Sequence, residues 1–533
     1  MTNRTDKIIL FLLLICILLI LFFYLKSNSK ISEISFSKES GFYDDDFEVE
    51  IKGEGDIYYT LDGSIPTKQS NRYTAPIHIT DASKKPNTNS MNKDVSPFFN
   101  IPLPDSNDNA IKYEIPNYLI DKCNVVRAVS FLKDGRKTDV ISASYFVGFK
   151  EKEVYQDIGI ISLITEPDNL FDKKKGIYVL GDTFVDYSED YLYDANFRLK
   201  GKVSERKAYI EIFDKNKDLI LQRNIGIRIH GRYTRERNPK SLNFYFGNEY
   251  DKENDFYGDI IDENYNPKSL TLLYPSTDES RMKDFLVMSL YAGKNVATMK
   301  FKPYLLFLDG EYWGFYYLTE KYSKDFVSYH YKIKNINNIV VAKTEDKNFA
   351  EFKFQDICDF CYGSDFSKSG NYNTLCSMID IDSFVEYISV LTYVSRVDGM
   401  LDNCGVWKTL RKIDNKYQSC KWFFMLYDMD SICSEGENSD INMILSLMKT
   451  KQFKEKFNKE LIRLSKEDFE PMKVENFIKR NGEYIKKYVL NDYKRFYGMD
   501  ERESNKIFEE NTNKMVKFFK YRQNNISEYF DKK

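Results

Sequence analysis

Histidine is nearly missing from this 533-residue chain, which holds only His78, His230 and His330, far apart from one another. That scarcity argues against multi-histidine zinc chemistry and against a Ser-His-Asp triad. Tryptophan is equally scarce, and Trp313, Trp407 and Trp422 are expected in the core. An excess of either charge is absent too. Lys and Arg number 78 against 81 Asp and Glu, a net charge of -3, which leaves no long-range field to draw a nucleic-acid backbone. Eight cysteines are too few for a disulfide scaffold. Cys358 and Cys361 form a lone C-x-x-C with no second pair at similar spacing. It reads as two adjacent buried thiols on a helix rather than a zinc knuckle, with a disulfide as the alternative.

What is present is enough to bury a sizeable core: 42% hydrophobic and 16% aromatic residues, beside 30% charged ones. The length suits two or three domains. Residues 8–25, IILFLLLICILLILFFYL, are an unbroken run of 18 apolar residues. At 1.5 Å per residue it nearly matches a bilayer core of about 30 Å. No small-residue cleavage site follows it, so an N-terminal membrane helix is expected, working as an uncleaved anchor. Arg4 and Lys7 favour a cytoplasmic N-terminus, which predicts a single-pass cell-membrane protein with its bulk outside the cytoplasm.

Residues 36–147 read as β-rich. FEVEI at 47–51 alternates apolar and polar, DIYYTL at 56–61 ends in the turn Asp62-Gly63-Ser64, and 124–131 and 142–147 supply further strands. The spacing predicts a small antiparallel β-sandwich over 31–150 after an anchor and stalk at 1–30. Residues 81–120, rich in Asn, Asp, Ser and Pro, form a polar insertion in one loop. The strings SGFYDDDFEVEI, IYYTLDGSIPT, VVRAVSF and SYFV resemble the small sandwich appended to chitobiase and hexosaminidase enzymes. That resemblance implies an accessory module, with carbohydrate or the cell wall as its contact.

From about 155 the texture becomes mixed α/β, with strands first and helices dominating after 350. Three stretches carry chemistry. Residues 230–241, HGRYTRERNPKS, join two strands through a basic loop that is neither a Walker loop nor G-x-G-x-x-G. Such a loop suits a phosphate or a solvated hairpin. DGMLDN at 398–403 sets an Asn five residues after an Asp. KWFFMLYDMD at 421–430 ends a buried strand in two carboxylates, hard oxygen ligands of the kind Mg²⁺ prefers. Asp, then Asn, then Asp-x-Asp after a strand follows the order of base, metal-binding amide and metal-binding acid at protein-kinase-like sites.

Together with LTLLYPSTDESRMKDFLVMSLY, FLDGEYWGFYYLTE and the tail beginning FKEKFNKELIRL, these motifs resemble the CotH spore-coat kinase family, bacterial and fungal proteins with an atypical kinase fold. The resemblance covers roughly 155 to 525. It implies an α+β fold in which a two-lobed kinase-like domain over 151–533 follows the sandwich and the membrane helix. It further implies that Lys240 meets the nucleotide phosphates with Arg235 nearby, and that Glu320 lies at the adenine-side hinge. Asp398 would accept the substrate hydroxyl's proton, while Asn403 and Asp428 hold Mg²⁺ or Mn²⁺ with Asp430 beside them. Two positions depart from the family pattern: Asp402 stands where Asn is common, and Ser431-Ile432-Cys433 follow the acidic pair in place of an aromatic and Gly.

The expected function is that of a membrane-anchored atypical Ser/Thr kinase. It would use ATP and Mg²⁺ to phosphorylate Ser/Thr-rich coat or envelope proteins, without nucleic acid as a partner. The alternatives are adenylylation in the same cleft and a catalytically degenerate surface adhesin.

Overall fold

The computed structural model describes residues 11–17, 32–99, 112–183, 194–251, 260–261, 265–291, 295–344, 346–401, 403–412, 417, 419–434 and 440–525. The α+β class holds overall, but the membrane helix does not. Among the described residues no helix is long and apolar enough to cross a membrane. Of the apolar run at 8–25, only 11–17 are described as helical, and the remainder lies outside the described residues. The single-pass cell-membrane assignment, which rested wholly on the length and hydropathy of that run, is withdrawn with it.

Asp56–Thr60, Asn124–Phe131 and Ile141–Val147 form the middle of a five-stranded sheet, edged by Gly41–Tyr43 and Asn71–Arg72. The short pair Phe47–Val49 and Ile77–Ile79 forms a second, two-stranded sheet, and alternate residues such as Val49, Ile57, Ile79, Val126 and Ala128 bury a shared core. The opposite face of the larger sheet is also apolar, and it docks on the next part of the chain. Phe146 stacks on Phe42 with centroids 4.5 Å apart and meets Phe307 at 5.0 Å. The Oγ atoms of Ser144 and Ser162 lie 2.7 Å apart across this junction.

Seven strands beyond 158 close a barrel. They are Gly159–Thr165, Arg206–Phe213, Leu219–Ile229, Leu242–Tyr245, Ser269–Leu273, Glu311–Glu320 and Phe301–Leu308, in that spatial order. The side-chain period of two sends Ile161, Leu163, Ile210, Ile212, Ile225 and Ile227 inward. Every strand therefore needs a second apolar face only where something packs outside, as Ile160 and Phe307 do against the sandwich. A bulge between Leu306 and Phe307 breaks the period there: Leu306 pairs with Gly314 but Phe307 pairs with Tyr312. Gly314 takes φ +114°, and a Cβ there would stand 3.1 Å from Phe496. The bulge allows both Trp313 and Tyr316 to face the barrel interior.

The insertion is tied down rather than loose. Glu311 accepts from Thr88 Oγ1 at 2.9 Å and from the Ser90 amide at 2.8 Å. Glu114 N–H donates to the Phe496 carbonyl at 2.8 Å. The rest of the chain forms a helical lobe. It contains Lys324–Tyr331, Phe354–Gly363, Ser369–Met378, Ile381–Tyr393 and Lys451–Lys466, and ends in the paired helices Pro471–Tyr497 and Glu501–Asn525. Trp313, Trp407 and Trp422 are all buried, and Cys358 and Cys361 lie buried in the core without a disulfide between them.

Glu211 sits in the junction between sandwich and barrel, fully buried, with the Ser40 hydroxyl donating to it. Burial pushes its carboxyl up from 4.5 to about 7. Between those values the unfolded chain releases a proton that the folded chain keeps, so the contribution of Glu211 is fully present below about pH 4.5 and lost as pH rises through about 7. The loss amounts to about 3 kcal/mol. Glu211→Gln should therefore leave Tm unchanged near pH 4.5 and raise it near pH 8, a difference that thermal melts at the two pH values would read. Equal effects at both values would place the proton elsewhere.

Candidate active site

A small antiparallel sheet in the helical lobe gathers the chemistry. Its strands are Ile339–Lys343, Gly405–Thr409 and Phe423–Met425. Lys343 pairs with Gly405, and Gly405 pairs with Met425. Hence the chain just past Lys343, just before Gly405 and just after Met425 emerges at one end of the sheet. Asn403 lies two residues before that end and Asp428 three residues after it. Register alone brings them together.

The side chains confirm the convergence. Asn403 Nδ2 donates to Asp428 Oδ2 at 2.7 Å. Carboxylate oxygens of Asp398, Asp428 and Asp430 all lie within 4.8 Å of one another, and each residue is half-buried. Asp428 adopts φ +59°, a left-handed turn that Asp tolerates better than most residues. The loop bearing Asp398 is pinned on several sides. Arg396 donates to the Asn403 carbonyl at 3.0 Å, and Tyr387 hydroxyl donates to the Met400 carbonyl at 2.7 Å. Met400 N–H donates to Asp440. Ser431, one of the two departures from the family pattern, donates its hydroxyl to Asp398 Oδ2 at 2.8 Å. Asp402, the other departure, lies outside the described residues.

Crowding acids have an electrostatic consequence. Burial first, and Asp428 second, push Asp430 up to about 6, against the hydrogen bond from Thr277. Asp284, in the first turn of Lys283–Leu290, is pushed up by burial and by Asp430 and Asp428, while its Oδ1 accepts from Met429 N–H at 2.8 Å. A divalent cation would relieve this repulsion. The donors are hard oxygens with neither His nor Cys among them, a set that fits Mg²⁺ or Mn²⁺ and not zinc.

Beside Asp428 the cleft runs up to the barrel mouth. Leu273, Met299, Phe301 and Tyr322 give it apolar surface, while Lys321 and Lys343 give it charge. Burial lowers both ammonium groups to about 8. Lys321 Nζ donates to Tyr245 hydroxyl at 3.0 Å, whereas Lys343 Nζ lies 3.9 Å from the centre of the Tyr427 ring. His230 lines the same cleft, and burial together with Lys343 and Lys321 drives its pKa well below the ordinary value, so its ring is neutral there. Tyr322 hydroxyl sits between the carbonyls of Ala297 (2.9 Å) and Leu426 (2.7 Å), latching the inter-lobe connection to the strand that leads to Asp428.

Of the residues the sequence singled out, Asp398, Asn403, Asp428 and Asp430 meet in space. Glu320 closes the last barrel strand and lines the cleft. Its carboxylate is taken by Lys300 N–H at 2.9 Å and by the His330 ring at 2.6 Å. Lys240 and Arg235 belong elsewhere. Lys240 is wholly buried, donates to the Arg235 and Arg237 carbonyls, and lies over the Phe197 ring at 4.2 Å. Arg235 donates to the carbonyls of Gly231 (2.6 Å), Phe197 (3.0 Å) and Leu199 (3.0 Å). Neither lines the cleft. The basic loop at 230–241 is thus folded on itself, with Lys240 and Arg235 bonded to backbone carbonyls, and the structure does not bring this pair to the acid cluster. The lysine that lines the cleft beside Asp428 is Lys343. Its signal was in the sequence, a charge closing the buried strand IVVAK as Asp428 follows FFML. Asp284 gave no comparable signal, since an acid in a first helical turn is explained by the helix dipole alone.

A barrel lobe and a helical lobe thus meet where an ammonium, an amide and an acid cluster converge. The family model for CotH kinase protein matches residues 227–526, more than half of the chain, and the chain belongs to that family. A second match, to the chitobiase/beta-hexosaminidase C-terminal domain, covers residues 38–85 in the sandwich. A comparison with curated proteins gave no match.

Proposed function

We propose that this protein is an atypical Ser/Thr kinase that moves the γ-phosphoryl group of ATP onto hydroxyls of a Ser/Thr-rich coat or envelope protein. The observation that carries the reading is the acid cluster, with three carboxylates crowded within 4.8 Å and an amide bonded to one of them. Asp428 and Asn403 would hold Mg²⁺ or Mn²⁺, with Asp430 beside them. When bound, the ion supplies positive charge to the phosphate oxygens. Asp398 orients the incoming hydroxyl and takes its proton, and Ser431 fixes the carboxylate for that task. Lys343 sets its ammonium toward the triphosphate side of the cleft, where burial strengthens the attraction. The apolar surface of Leu273, Met299 and Phe301 suits a purine.

The test uses two labels. The full chain is incubated with a serine-rich protein, Mg²⁺, and ATP labelled at either the γ- or the α-phosphate. Transfer of γ-label alone, lost in EDTA, is the expected result. Transfer of α-label would replace the reading with adenylylation, and no transfer together with no nucleotide binding would replace it with a degenerate adhesin.

A further inference from the structure

A second concavity lies far along the chain from the acid cluster, where three parts meet. These are the insertion at 114–118, the turn Glu153–Tyr155, and the paired C-terminal helices Pro471–Tyr497 and Glu501–Asn525. Ile115, Pro116 and Leu490 give it apolar wall, and Lys487, Lys494 and Arg495 give it basic wall. Acids line it too, namely Glu114, Glu153, Glu483, Asp500 and Glu501.

Arg495 sets this place apart. It is 3% exposed, and its Nε is buried without a hydrogen-bond partner. Among the described residues its guanidinium makes no hydrogen bond or ion pair, and its central carbon lies 4.7 Å from the centre of the Phe496 ring and 5.8 Å from that of Trp313. A guanidinium presents five N–H donors in a planar fork, and buried donors are almost always satisfied. The nearest acids do not meet it. Glu311 is occupied by Thr88 and Ser90, and Asp492 accepts from Tyr312 hydroxyl at 2.9 Å and from Phe315 N–H at 3.0 Å. Lys494, the preceding residue, holds its Nζ over the Tyr118 ring at 4.8 Å on the same wall.

We infer that this concavity binds a small oxyanion, the phosphate or carboxylate group of a soluble molecule, with Arg495 as the fork that receives it and Lys494 as the second cation. The planar fork matches two oxygens of either group. The apolar wall of Ile115, Pro116 and Leu490 leaves room for a non-polar portion of the same molecule. The assignment is independent of the nucleotide cleft.

The experiment is titration calorimetry on the full chain with sodium phosphate and, separately, sodium acetate. Binding of at least one anion is expected, weakened about tenfold to a hundredfold in Arg495→Met and weakened to a lesser degree in Lys494→Ala, while Lys343→Met leaves it intact. A response to phosphate alone assigns a phosphate ligand, and an equal response to acetate assigns a carboxylate. In buffer free of both anions, Arg495→Met should melt no lower than the parent, because it removes an unbonded buried donor. Absence of binding by either anion would overturn the inference. So would binding unmoved by Arg495→Met, binding lost in Lys343→Met, or a fall in Tm for Arg495→Met without ligand, which would mark a purely structural charge. Should Arg495→Met fail to fold, unchanged binding in Lys494→Ala overturns it equally.

Discussion

Asp428→Asn should lower kcat/KM for γ-phosphoryl transfer by about a thousandfold while leaving Tm close to the parent's. The choice of Asn matters physically. Asp428 sits at φ +59°, a conformation Asn shares at little cost, whereas Ala there would add backbone strain and confuse a catalytic loss with a folding defect. The side chain keeps its shape and loses only its charge. That charge is the one the neighbouring groups are arranged around. Asn403 donates to it, and both Asp430 and Asp284 have their carboxyls pushed up in part by it. Steady-state rates with labelled ATP over a range of Mg²⁺ concentrations, set beside thermal melts, check the expectation. An undiminished rate would remove Asp428 from the metal-holding role and the proposed reaction with it.

Lys343→Met and Lys240→Met should separate a functional lysine from a structural one. Lys343 lines the cleft, and burial holds its pKa near 8. Exchange for Met removes a desolvated charge and keeps most of the side-chain volume, so stability is expected to hold or rise slightly while kcat/KM falls about a hundredfold or more. Lys240 has the opposite profile. Its ammonium satisfies the Arg235 and Arg237 carbonyls inside a wholly buried site. Exchange for Met leaves those carbonyls unpaired and costs about 3 kcal/mol, with activity per folded molecule retained. Melting curves and kcat/KM for both variants decide between the assignments, and reversal of the two profiles would restore the phosphate role to Lys240.

The pattern of what could be read in advance is uneven, and for a reason. Strands with strict alternation or continuous apolar runs appear where periodicity placed them. Asn124–Phe131 and Ile141–Val147 match almost residue for residue. The helices expected after 350 are there, the longest being Pro471–Tyr497. Closure of the seven strands into a barrel was not legible, because it depends on Gly159–Thr165 pairing in parallel with Phe301–Leu308 across some 140 residues, and no local pattern encodes that contact. The apolar run at 8–25 shows the converse. Hydropathy over 18 residues met the length rule for a membrane span, yet no described helix is long and apolar enough to cross a membrane.

The sequence by itself determined the order of the chemistry: an acid, an amide and an acid pair, with a buried strand leading into the pair. It determined as well that a sandwich precedes them, because motif chemistry and side-chain period are properties of neighbouring residues. Only the tertiary structure decided which cation faces those acids. Lys240 and Lys343 both adjoin strands and carry the same charge, but one turns into a barrel end where backbone carbonyls consume its donors, and the other closes a strand whose register sets it beside Gly405 and Asp428. Burial and pairing are consequences of where distant segments meet, and a charge acquires its task from those surroundings.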